Sequence, residues 1–224
     1  MNKFKLSLIS IALSTLPFAH FANAQQVVQI ADSQINQGDT VINVAENRSS
    51  VLPINVMSQS LLAIQHDWAK INYRTEEEQQ EAAFEKLIKD VDQLASTYPN
   101  SAEPKVWQGI IRSSYAGVKG GLSALSLVRD ARDYLIAAKT IDDQALDGSS
   151  YTSLGTLYAK VPGWPIAFGD DDKARELLQK ALEINPQGLD PNYFYGELLY
   201  EEGDYRQAEK HLKLALNAPV RESR

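Results

Sequence analysis

Two stretches near the C-terminal end share one register of roughly 34 residues, and that shared phase limits the fold more than any single motif does. The first carries Tyr151, Leu154, Gly155 and Tyr158, then Ala174, Leu178 and Ala181, and closes at Pro186. Counting ten residues on from Pro186 reaches Gly196, and Gly203, Asp204, Tyr205, Ala208, Leu212 and Ala215 follow in the same order. Small residues at such positions let two helices cross closely, and the large ones fill the spaces between them. A hairpin built this way cannot bury its apolar face alone, so several must stack.

The register extends backward. Pro99 stands ten residues before Gly109, another small residue, and Ala131, Leu135 and Ala138 repeat the spacing of Ala174, Leu178 and Ala181. Before them, Val56, Leu61, Leu62, Ile64, Trp68 and Ile71, then Phe84, Leu87, Ile88, Val91 and Leu94, have helical periodicity and predict a first helical pair. Glu76, Glu77 and Glu78 after Thr75 suit the start of its second helix, where carboxylates meet the positive end of the helix dipole. Two repeats are stretched. Gly109 to Ala131 is 22 residues and Gly155 to Ala174 is 19, where Gly196 to Ala208 is 12. The extra residues are assigned to 117–127 and 161–170, between the two helices of each repeat, which places both insertions on one edge of the stack.

These residues resemble the tetratricopeptide repeat family, most closely in the last two units, then over 109–141, then in the first pair. The resemblance implies an all-α solenoid of about four helical hairpins with lengthened turns over 53–221. It further implies a scaffold that holds a protein or peptide on its concave face, with no catalytic residues and no cofactor. The general plan is also similar to the T component of TRAP transporters, a periplasmic helical repeat protein that works beside a substrate-binding subunit. That second likeness implies a small-molecule or lipid-binding accessory, with the two insertions closing over an apolar pocket. Members of that group are often lipoproteins, and this chain has no cysteine.

The N-terminus has the three regions of a secretory signal: Lys3 and Lys5, an apolar run over 6–18, and Ala22-Asn23-Ala24 ahead of Gln25. The run is shorter than the roughly 20 residues needed to cross a bilayer, so 1–24 is expected to be removed, leaving no membrane span. The expected location is the bacterial periplasm. Residues 25–52 alternate polar residues with scattered valine and isoleucine and read as an irregular arm, flexible or with short strands. Without Lys3 and Lys5 the chain keeps 20 basic residues against 29 acidic, a net charge of −9, which disfavours nucleic acid and anionic lipid as partners. Oligomeric state is not set by these features. The absence of cysteine removes disulfides, thiolate nucleophiles and thiolate metal sites together.

Several residues stand out as candidates. Trp164 and Phe168 lie in Val161-Pro162-Gly163-Trp164-Pro165-Ile166-Ala167-Phe168-Gly169-Asp170, a stiff segment that fits either a partner-binding loop or a plug folded onto its own repeat. Lys119 sits in Gly117-Val118-Lys119-Gly120-Gly121, which fits a phosphate cradle or a plain turn, with the spacing of neither phosphate-loop motif. Tyr193, Glu197 and Tyr200 belong to an aromatic-rich first helix and are expected on the concave side, or packed against the preceding repeat. Asp170, Asp171 and Asp172 read as a helix cap and first turn before they read as calcium ligands, since the EF-hand ladder is missing. His66 and His211 have no metal-ligand spacing.

Overall fold

The computed structural model describes residues 48–219, with side chains from Val56 onward. The expected signal segment and all but the last few residues of the expected arm lie outside the described residues. The order is α1 Arg48–Arg74, α2 Glu77–Thr97, α3 Ala102–Lys119, α4 Ala124–Ile141, α5 Ala145–Lys160, α6 Asp171–Ile184, α7 Leu189–Glu201 and α8 Tyr205–Leu216. Among the described residues there is no strand, only an isolated bridge between Gly163 and Gly169. No described helix is long and apolar enough to cross a membrane.

Three helical hairpins, α3/α4, α5/α6 and α7/α8, stack so that the first helices α3, α5 and α7 neighbour one another in turn. The register appears as a steric fact. A methyl group on Gly109 would lie 2.5 Å from Leu135 Cγ, one on Gly155 2.6 Å from Leu178 Cγ, and one on Gly196 2.9 Å from Leu212 Cγ. Each glycine thus receives the leucine at the matching position of its partner helix. The paired alanines Ala131, Ala174 and Ala208 are buried, and Ile111, Leu135, Leu154 and Leu178 fill the spaces between helices. Two hairpins also start their second helix alike: Asp170 accepts from Lys173 N at 2.9 Å and Asp204 from Gln207 N at 3.2 Å.

The two insertions take different forms, which corrects the expectation of two lengthened turns. In the α3/α4 hairpin the ten extra residues are nearly all helical. Compared with α7/α8, five lengthen α3 beyond its glycine, four lengthen α4 ahead of its alanine, and one enlarges the turn. In the α5/α6 hairpin both helices keep their length, and all seven extra residues lie in the 161–170 loop. Composition explains the difference. Alanine, leucine, valine and lysine continue a helix up to Gly120 and Gly121, which take φ +62° and +61° and end it. Pro162 and Pro165 lack the N–H that helix continuation needs.

Two further features position the surface. At the start of α5, Leu146, Asp147 and Gly148 have left-handed backbone angles, so regular helix begins at Ser149. At the other end of the chain, α1 lies against α3 through Trp68, whose Nε1 donates to Ser114 Oγ at 2.8 Å and whose ring meets Trp107 edge-on at 5.7 Å.

Candidate functional site

The 161–170 loop is closed by its own backbone. Gly169 N donates to Pro162 O at 2.9 Å and Asp170 N to Tyr158 O at 3.0 Å. Inside it, Ile166 N and Ala167 N both reach Gly163 O, at 3.1 and 3.2 Å. The chain approaches itself so closely that a methyl on Gly169 would lie 1.8 Å from Val161 O. The loop's two aromatics then separate. Phe168 turns inward, edge-on to Tyr158 at 5.3 Å, with the Arg132 guanidinium of the long α4 4.8 Å from its ring centre. Trp164 turns outward and is 90% exposed. Phe168 therefore packs onto its own repeat as the plug reading has it, while Trp164 stands in solvent.

Lys119 is held by Tyr115 of its own helix and by the carboxylates of the preceding α2. Its Nζ donates to Tyr115 Oη at 2.9 Å and lies 3.5 Å from Glu81, and Tyr115 in turn donates to Glu85 at 2.9 Å. The Tyr115 hydrogen bond, stronger than the opposing burial, raises the lysine's pKa. Gly120 and Gly121 have nothing near their Cα hydrogens, and this end of α3 is a C-terminus, whose carbonyls favour a cation. That is the geometry of a capped helix end beside a turn.

Of the α7 candidates, Tyr193 and Glu197 share a face beside Lys160, and Tyr200 stands at the exposed end of the helix. Tyr193 is half-buried, edge-on to Phe194 at 5.2 Å, and burial together with Glu197 raises its pKa against the opposing Lys160 charge. Tyr73, near the end of α1, is pushed up to about 12 by burial and by the charges of Asp190 and Tyr193 in α7. Glu197 and Glu201 both pair with Lys160, at 3.1 and 2.6 Å, beside a shallow crease between α5 and α7 lined by Thr156, Phe194 and Leu198. Burial works against the Lys160 charge, and the two glutamates outweigh it. Tyr200 is exposed at the far end of the helix, edge-on to Tyr205 at 5.3 Å.

Asp170 caps α6, and among the described residues no group of three or more His, Asp or Glu side chains is arranged to hold a metal. His66 is exposed. His211 is structural: its Nδ1 lies 2.9 Å from Asn192 Oδ1. The buried Asn192 gives its amide hydrogens to Pro186 O and Gly188 O, so its oxygen is the acceptor and His211 Nδ1 the donor. Sequence reasoning missed this pair. It also missed Arg112, buried on α3, which makes a two-oxygen pair with Asp92 of α2 at 3.0 and 2.8 Å and lies 4.5 Å from the ring centre of Tyr134 on α4.

Compared with known proteins, residues 166–224 match the tetratricopeptide repeat family. No curated protein matches the chain. Among solved structures, the crystal structure of MamA is 19% identical over 62% of this chain and 91% of its own, with a TM-score of 0.33. A structure of pilF from Pseudomonas aeruginosa is 14% identical over 74% of this chain and 79% of its own, with a TM-score of 0.35.

Proposed function

We propose that this chain is an exported scaffold of the bacterial cell envelope that binds another protein. The observation that carries the reading is Trp164, which stands 90% exposed on a loop tied at both ends by backbone hydrogen bonds. Exposing a tryptophan costs hydrophobic free energy, and ordering the loop around it costs entropy, which a binding surface would recover. The tetratricopeptide match over 166–224 supports it, since such repeats generally hold proteins. Lys3, Lys5, the apolar run and Ala22-Asn23-Ala24 support export, with cleavage before Gln25. The transporter-accessory reading has less behind it, because it needs two loops to close over a pocket and the first insertion is spent on helix.

The test replaces Trp164 with a photo-crosslinking amino acid in cells and recovers the adduct from the periplasmic fraction. A single protein adduct identified by mass spectrometry, on a chain beginning at Gln25, is the expected result. An adduct with lipid alone, or a chain retained in the cytoplasm with its first residues intact, overturns the reading.

A further inference from the structure

The turns of the α5/α6 and α7/α8 hairpins lie side by side on one edge of the stack. Cross-turn pairs show it: Lys160 at the end of α5 meets Glu201 at the end of α7, and Arg175 in α6 meets Glu202 in the α7/α8 turn. The Arg132 guanidinium over Phe168 ties the 161–170 loop to α4 in the same way. Each hairpin turn presents an apolar side chain to solvent: Leu122 at 84% exposure, Trp164 with Ile166 beside it, and the Tyr200–Tyr205 pair at 60% and 63%. Scattered surface hydrophobics are ordinary, and Leu122 stands on the longer α3/α4 hairpin; Trp164 with Ile166 and the Tyr200–Tyr205 pair, however, stand at the two turns that the Lys160–Glu201 and Arg175–Glu202 pairs bring side by side.

The charges along this edge say what covers it. Lys160, Lys173 and Arg175 each already hold a glutamate of this chain, Glu201, Glu176 and Glu202. Asp171 and Asp172 stand exposed in the first turn of α6, directly after the loop that carries Trp164. Three of the edge's cations are thus neutralised within the chain, and among its described residues only Arg206 beside Tyr205 stands exposed without an ion pair, while Asp171 and Asp172 face outward; the balance is acidic, a field that repels an anionic bilayer and attracts a basic surface. We propose that this edge docks a protein segment that offers an apolar socket to Trp164 and lysine or arginine to Asp171 and Asp172. The proposal rests on the scaffold reading and names the partner's chemistry.

The experiment selects a displayed library of random 16-residue peptides on the full chain. It then measures the selected peptides by calorimetry and by iodide quenching of tryptophan emission, for wild type, Trp164→Ala, Asp171→Asn with Asp172→Asn, and Glu197→Gln. Trp68 and Trp107 are buried, so quenching reports Trp164. The expected peptides combine aromatic or aliphatic residues with lysine or arginine and shield Trp164 from iodide. Trp164→Ala weakens them at least tenfold, the double aspartate change about threefold at low salt, and Glu197→Gln not at all. Selected peptides that keep their affinity for Trp164→Ala but lose it for Glu197→Gln overturn this edge and leave the scaffold reading standing. A library that yields no binder overturns both. Binding of the chain to phosphatidylglycerol-containing vesicles that depends on Trp164 replaces the protein partner with a membrane and sinks the proposal.

Discussion

Gly169 and Gly117 show how differently one residue type can be used. A methyl at Gly169 would meet the Val161 carbonyl at 1.8 Å, backbone against backbone, whereas one at Gly117 in α3 meets nothing within 4 Å. Gly169→Ala should therefore cost about 1–3 kcal/mol and open the loop, seen as a lower unfolding midpoint and new protease cutting over 161–170. Gly117→Ala should instead raise stability by up to about 1 kcal/mol through helix propensity. His211 supplies a pH effect. Burial, then Lys210, lowers its folded pKa below 6.5, so the unfolded chain takes up the proton first. The stability from neutral His211 is complete above the unfolded value and declines as pH falls through the folded one. Denaturant titrations at pH 7.5 and 5.5 should show a smaller loss for His211→Gln than for wild type; an equal loss would contradict this. The glycine and alanine positions were legible in the sequence because small–large pairing recurs at fixed spacing. Asn192 with His211, and Arg112 with Asp92, were not, because each pair joins two helices and on paper these residues look like ordinary solvated polar positions.

At the scale of the element, spacing showed how many residues each hairpin had gained but not what they became. The prolines of 161–170 mark a loop, and the helix-forming residues on either side of Gly120 and Gly121 mark two extended helices, so composition carried a distinction that counting could not. The loop is separable from its hairpin. Replacing 161–170 with the three residues 202–204 of the last hairpin should keep the helical circular dichroism and cost about 2–4 kcal/mol, chiefly from the lost burial of Val161 and Phe168. Loss of the helical signal would show that the loop organises the hairpin. The entry to α5 was not legible at all. Leu146 and Asp147 have positive φ, which disfavours ordinary side chains and disfavours β-branched ones most. Asp147 is exposed, so Asp147→Val isolates the backbone term and should lower stability by about 1–2 kcal/mol in chemical denaturation, while Asp147→Asn should be near neutral.

For the molecule as a whole, stacking was foreseeable and the action of α7 charges on the end of α1 was not. The repeat pattern says that hairpins pile up, but nothing in it links Tyr73 to Asp190 and Tyr193. Tyr73 reports that link. Asp190→Asn should bring its titration down from about 12 while burial keeps it above an ordinary tyrosine, readable by NMR with the ring resonance assigned through Tyr73→Phe. An unchanged titration would remove Asp190 as a cause of the shift. The long α3/α4 hairpin has a consequence of a kinetic kind. Its Arg132 props Phe168 from outside the loop's own repeat, so the backbone that carries Trp164 is held from two repeats at once. Association then needs only a correctly oriented encounter, without a slow ordering step, and its rate should be set by diffusion and by the salt-sensitive attraction of the acidic edge.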